Sequence, residues 1–291
     1  MKKIVIAGSS GFIGKDLVQR FEALHYEVLQ ISRKPEHIQW NDFEGIVSAL
    51  NHSEALINLA GKSVDCQYTK KNKTEILESR IKTTKQLGEA VNACENPPKV
   101  WLNSSTATIY RHETTEANTE SNGIIGSDFS VDVAKEWEKT FISYKNKHTR
   151  LISLRMAIVL SEKGGAQPIL LKLVKLGLGG KQGDGEQYFS WIDVRDLFEI
   201  VLFCIENKHL EGPINCCSPY AVKNKDLMSM LRTKENKTFG LNIPALLLKL
   251  GSLLINTEAE LVLKSRWVYP EKLLQNNFQF EFKSIENSLN T

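Results

Sequence analysis

Three glycines carry the clearest chemical signal in the chain. They stand in Gly8-Ser9-Ser10-Gly11-Phe12-Ile13-Gly14, after the apolar run Ile4 to Ala7 and before a helical pattern. A glycine-rich turn between strand and helix is the context that cradles a dinucleotide. Gly8 permits the tight turn, Gly11 lets backbone amides approach a pyrophosphate, and Gly14 lets the helix pack closely on the strand. Ser10, Phe12 and Ile13 fill the turn and open the helix, whose N-terminus offers free N–H groups and a partial positive charge to phosphates. The second strand ends in Ile31-Ser32-Arg33-Lys34. An NAD site places an acid there for the ribose 2′-hydroxyl. Arg33 instead suits a 2′-phosphate, with Lys34 as a second charge. The expectation is NADP(H), with Glu36 keeping NAD(H) as the alternative.

The elements that must position these residues read as alternating strands and helices. After the turn, Lys15 to Leu24 has one apolar face, and Glu27 to Ile31 is a second strand. Ile46 to Leu50 suggests a short helix, and Ala55 to Leu59 a buried strand ending in Ala60-Gly61. Thr74 to Ala93 and Val131 to Tyr144 are helical; Val100 to Asn103 and Leu151 to Leu154 are strands. This alternation implies an α/β fold, a Rossmann-like doubly wound parallel sheet covered on both faces. Past residue 160 glycines crowd a loop-rich stretch around a helix at Ile169 to Leu176. Val194 to Ile205 is helical, Pro213 to Cys216 a strand, and the tail helical from Lys225 to Leu231 and Ala245 to Leu263. The expected division is a dinucleotide-binding domain over 1–160, with 188–216 returning to the sheet. A smaller C-terminal substrate region comprises 161–187 and 217–291.

Composition bounds the function. The chain has 291 residues, with 37 Lys plus Arg against 34 Asp plus Glu, a formal charge of +3. That balance does not argue for nucleic acid. The most apolar stretch, Ile243 to Ile255, is too short and too broken to span a bilayer. Five cysteines without a C-x-x-C fit reduced thiols in a cytoplasmic protein. Six scattered histidines give no metal-ligand spacing, so no metal is expected. No G-x-S-x-G elbow occurs. Lys70-Lys71-Asn72-Lys73 reads as a solvated helix start.

Further motifs make a resemblance specific. Asn58-Leu59-Ala60-Gly61 looks like the NLAG signature, and Ser104-Ser105-Thr106-Ala107-Thr108-Ile109-Tyr110 like the strand-five motif, of extended short-chain dehydrogenases/reductases. The segments Lys73 to Ile81, Gly179 to Ile192, Gly212 to Pro219 and Arg266 to Leu273 narrow the match. The chain resembles an atypical epimerase-family subgroup, nucleoside-diphosphate-sugar epimerase-like proteins, over essentially its whole length. The resemblance implies that Leu59, Ala60, Gly61 and Arg80 line the cofactor, Arg80 standing where many members have Asn. Ser104 would lie near the nicotinamide ribose, and Thr106 would occupy the catalytic Ser/Thr position. Gln187, Ser190, Trp191 and Arg266 could line a substrate cleft; Trp191 could equally be core, and Arg266 could pair with Glu258 or Glu260. Two departures stand out: Asp193 where the family tends to His, and Arg111 where it tends to Gly.

The superfamily's chemistry uses a Tyr with a Lys four residues on, both on one helix face. No Y-x-x-x-K occurs anywhere in the chain. Phe129 and Val133 align with the pair, as the atypical subgroup's loss of it implies, and Lys135 would substitute only if the helix were rotated. Tyr110, Asp193 and Glu186 are the candidate replacement acids, with Thr106 able to polarise a carbonyl or simply bond the backbone. The reading is an NADP(H)-binding oxidoreductase or epimerase-like enzyme acting on a small, nucleotide-sugar-like molecule. The alternative is a non-catalytic NADP(H)-binding regulator or interaction protein. Helix-to-helix homodimers are common in the superfamily the chain resembles.

Overall fold

The computed structural model describes residues 1–248 and 263–290. Its centre is a six-stranded parallel sheet built from β1 (Lys3–Ala7), β2 (Glu27–Ile31), β3 (Ala55–Asn58), β4 (Val100–Thr106), β5 (Arg150–Met156) and β10 (Gly212–Cys216). The order is β10-β5-β4-β3-β1-β2. In β1 alternate side chains serve opposite faces. Ile4 and Ile6 join Leu17 and Phe21 of α1 (Phe12–Ala23) and Leu197 and Phe198 of α6 (Val194–Glu206). Val5 and Ala7 face the other way. They meet Ile46 and Leu50 of α2 (Phe43–Leu50), Leu87 and Val91 of α3 (Lys70–Ala93), and Phe141 of α4 (Phe129–Ile142). Burial on both faces is why the strands read as continuous apolar runs rather than alternating ones. The order reverses between β1 and β3, the switch point at which such sheets open a crevice for ligands.

A second layer departs from the sequence reading. β6 (Ile158–Ser161) pairs antiparallel with β7 (Gly164–Gly165) and parallel with β9 (Trp191–Asp193). β8 (Tyr188–Phe189) pairs with β11 (Val222–Lys223). These strands are two to four residues long, too short to leave a period. α5 (Gln167–Lys175) and α7 (Asn224–Lys234) pack with them around Trp191, Leu227 and Leu231. The short helices Glu271–Gln275 and Ile285–Leu289 close the chain's described end. The expected helix Ala245 to Leu263 lies mostly outside the described residues, as do Glu258 and Glu260. Among the described residues, no helix is long and apolar enough to cross a membrane.

Candidate functional site

The glycine turn sits at the switch point, pressed against the end of β3. Gly8 adopts φ +81°, and a Cβ there would stand 2.8 Å from the Ala60 nitrogen and the Leu59 carbonyl carbon. A Cβ at Gly14 would lie 2.6 Å from the Gly8 carbonyl oxygen. These two glycines are demanded by backbone approach. Gly11 differs: a Cβ there would meet nothing closer than 3.4 Å, so its side is open. It is also the N-cap of α1 and gives that helix no side-chain cap. The first amides of α1 are therefore left to a ligand. Phe12 closes the neighbouring side, its ring against Gly164 and Gly165 of the β6–β7 hairpin.

The loop after β2 is organised by Ser32 together with His37, which the motif reading passed over. Ser32 Oγ and His37 Nδ1 lie 2.8 Å apart, and the Lys34 amide donates to Ser32 Oγ at 3.0 Å. Lys34 pairs with Glu36 at 3.4 Å. Arg33 is exposed and has no hydrogen-bond or ion-pair partner in the protein among the described residues.

Asn58 was legible only as part of NLAG, yet it is the hub of the β3 end. It is fully buried. Its Oδ1 accepts the Ala60 amide at 3.0 Å; its Nδ2 donates to Asn103 Oδ1 at 2.7 Å and Thr84 Oγ1 at 3.3 Å. Trp137 Nε1 donates to the same threonine at 2.9 Å. The network ties β3, β4, α3 and α4 together beneath the loop Leu59-Ala60-Gly61.

Arg80 lies on that loop. Its Nη1 donates to the carbonyls of Lys62 and Ile76 at 3.0 and 2.9 Å. Its guanidinium lies close to Gly61, where a Cβ would stand 3.1 Å from Cζ, and 5.0 Å from the centroid of the Trp137 ring. Burial pushes its pKa down to about 10, which leaves it charged at neutral pH. Among the described residues no carboxylate pairs with it.

Phe129 and Val133 occupy the first turns of α4. Val133 packs with Cys66 and Ile76, and Phe129 sits at the edge of the same cluster, its ring 4.9 Å from that of Tyr68. The Lys73 ammonium lies 5.0 Å from the Phe129 ring centroid. Lys135 faces outward, so α4 is not rotated to bring it in.

The expected replacement acids fall elsewhere. Tyr110 is 1% exposed; it donates to Asn215 Oδ1 at 2.9 Å and accepts from Arg155 Nη1 at 2.8 Å. Burial raises its pKa. The expectation of a proton donor at Tyr110 is therefore revised: its hydroxyl is a buried pin between sheet strands. Asp193 is 2% exposed, bound by Arg195 and by Ser288 Oγ at 2.6 Å. Glu186 is held near about 2 by hydrogen bonds from Lys223 and Lys225, so it is ionised and no acid at neutral pH. Thr106 Oγ1 caps the turn Ala107–Ile109, accepting the Thr108 amide at 3.1 Å. Ser104 stands half-buried on β4 beside Asn103, whose side chain donates to its carbonyl at 2.9 Å.

Of the second-region candidates, Trp191 is plain core. It is fully buried and donates to the Tyr220 carbonyl at 2.8 Å. Ser190 Oγ accepts the Val268 amide at 3.0 Å, and Gln187 donates to the Gln182 carbonyl at 2.9 Å. Arg266 is 7% exposed and bridges to Phe189. The ion pair of Lys264 with Asp128, the N-cap of α4, brings this segment to the helix start where Phe129 stands. Gln167, at the start of α5, was missed: it is 1% exposed, and neither side-chain polar atom has a hydrogen-bond partner among the described residues. Its only sequence signal was a polar residue in an apolar helix.

A doubly wound parallel sheet with a glycine turn at its switch point defines a Rossmann-like protein. The chain belongs to the NAD dependent epimerase/dehydratase family, matched over residues 4–217; residues 243–291 match a domain of unknown function, DUF1731. An Arabidopsis thaliana relative, "Epimerase family protein SDR39U1 homolog, chloroplastic", is 31% identical over 98% of this chain and 85% of its own. The crystal structure of human epimerase family protein SDR39U1, which holds NADPH, superposes with a TM-score of 0.89. It is 27% identical and is matched over 99% of this chain and 97% of that one. A nucleoside-diphosphate sugar epimerase from Corynebacterium glutamicum gives 0.80 at 28% identity, covering 99% of this chain and 57% of that one.

Proposed function

We propose that the chain binds NADP(H) across the β1–β3 crevice and works as an oxidoreductase or epimerase-like enzyme on a small molecule. The observation that carries the reading is the uncapped α1 N-terminus beside an open Gly11, with the unpartnered Arg33 at the end of β2. The amides of the turn take the pyrophosphate, and Arg33 takes the 2′-phosphate. The family membership and the NADPH held by the human relative support it. Bound NADP(H) would supply the hydride chemistry. Residues 1–160 serve the cofactor in this reading, and the region around β8 and Arg266 serves a small substrate of nucleotide-sugar type.

A second reading has its own support. Phe129 and Val133 form an apolar cluster where a proton-transferring pair would stand, and Tyr110 is locked in the interior. A cofactor-binding regulator needs no proton donor. Calorimetric titration with NADPH and NADH tests the shared premise. NADPH should bind more tightly; equal affinities, or no binding, would remove the Arg33 assignment. Turnover of any metabolite by the loaded protein would then eliminate the regulator reading.

A further inference from the structure

A half-buried cation favours an anion beside it, and Arg80 has none among the described residues. Nη1 spends both its protons on the carbonyls of Lys62 and Ile76. Nε and Nη2 donate to no protein atom among the described residues. The two nearest acids before it on the same helix are committed elsewhere: Glu75 to Lys62 and Lys71, Glu78 to Lys82 at 2.8 Å. The surroundings are aromatic and apolar: Trp137 on one face of the guanidinium, with Ile76, Cys66 and Val133 clustered nearby. Such surroundings strengthen any charge pairing formed there and penalise a lone charge.

The position matters as much as the vacant donors. Gly61, against which the guanidinium lies, follows Ala60, against which Gly8 packs. Arg80 therefore borders the crevice at the carboxyl end of β3. Its Nη1 is tied to two carbonyls, and its remaining edge is the two-donor edge that matches the two oxygens of a carboxylate or phosphate.

We propose that Arg80 is an oxyanion-binding residue, whose Nε–Nη2 edge takes a carboxylate or phosphate of a ligand bound beside the glycine turn. This deepens the dinucleotide reading and rests on it for the ligand's place. The anion comes either from the cofactor's phosphates or from the substrate.

The test uses the full chain and its own tryptophan fluorescence, since Trp137 lies against the guanidinium. Oxalate and inorganic phosphate are titrated at constant ionic strength, with chloride as the comparison. A saturable change with oxalate or phosphate but not chloride is expected, weakened at least about tenfold in Arg80→Gln. Arg80→Lys keeps the charge but loses the two-donor edge, so it should weaken oxalate more than chloride-like point contacts; it also serves if the glutamine variant fails to fold. Two arms separate the sources. If NADPH abolishes the oxalate response and Arg80→Gln binds NADPH about tenfold more weakly, the anion is the cofactor's. If the response persists with NADPH bound and the variant binds NADPH normally, the anion is the substrate's. No saturable response together with unchanged NADPH affinity in Arg80→Gln overturns the proposal, as does a response the variant does not alter. A wild type that binds oxalate but not NADPH would fail the dinucleotide reading while Arg80 stands.

Discussion

Two arginines, Arg155 buried on β5 and Arg80 half-buried on α3, show how one side chain serves structure in one place and ligand chemistry in another. Both lie over an aromatic ring, Tyr110 at 5.1 Å and Trp137 at 5.0 Å. Arg155 is closed by the protein: Nε and Nη2 donate to Glu138 at 2.9 and 2.8 Å, and Nη1 to the Tyr110 hydroxyl. Glu138 also accepts from Ser105 Oγ at 2.7 Å, and Asn215 continues the chain to the Tyr269 carbonyl at 3.0 Å. Despite burial, Glu138 holds the Arg155 pKa above its ordinary value, whereas burial alone drives Arg80 down. A cation whose two-donor edge meets the protein's own carboxylate is a strut. A cation whose same edge is vacant beside a ligand crevice is a receptor.

Breaking the strut should give the largest effect. Glu138→Ala leaves Arg155 buried without its acid, and denaturant unfolding should show a loss of about 3–5 kcal/mol. NADPH affinity of the folded protein should not move. Tyr110→Phe strips one donor and one acceptor from the same network and should cost about 1–3 kcal/mol by the same measurement. It also tests the titration. Because burial raises the Tyr110 pKa, its contribution is fully present below about 10 and is lost as pH rises through the higher folded value. The phenylalanine variant should therefore lose less stability than wild type over that alkaline range. Arg33→Ala acts on the ligand alone: NADPH should weaken by about 1–3 kcal/mol in calorimetry, with NADH unchanged. Arg80→Met should destabilise less than Glu138→Ala. It gives up two hydrogen bonds to backbone carbonyls but no acid partner, so unfolding should shift by about 1 kcal/mol. A loss as large as that of Glu138→Ala would erase the distinction between the two arginines.

Much of the frame was legible because it is local. Ile4 to Ala7, Ala55 to Leu59 and Val100 to Asn103 announce buried strands by their apolar runs, interrupted only at Asn58 and ending at Asn103, and the spacing of Gly8, Gly11 and Gly14 announces the turn between strand and helix. What escaped was pairing over distance. β9 carries three residues and finds β6 some thirty residues earlier, so nothing within the segment marks it. Tyr110 looked available because a sequence shows a hydroxyl and not the Asn215 and Arg155 that enclose it. Asn58 appeared as a motif letter, while its role came from Thr84, Asn103 and Ala60 converging on one buried amide.

The sequence by itself determined the glycine turn, the absence of a Tyr–Lys pair and the choice of Arg33 over an acid, because each depends on residue type at short spacing. Only the tertiary structure decided which arginine is paired, which tyrosine is sealed and which hydroxyls cap turns. Charge compensation and burial depend on which groups the fold brings within hydrogen-bond reach. Glu138 meets Arg155 from seventeen residues away, whereas Arg80, with acids two and five residues before it, is left with none.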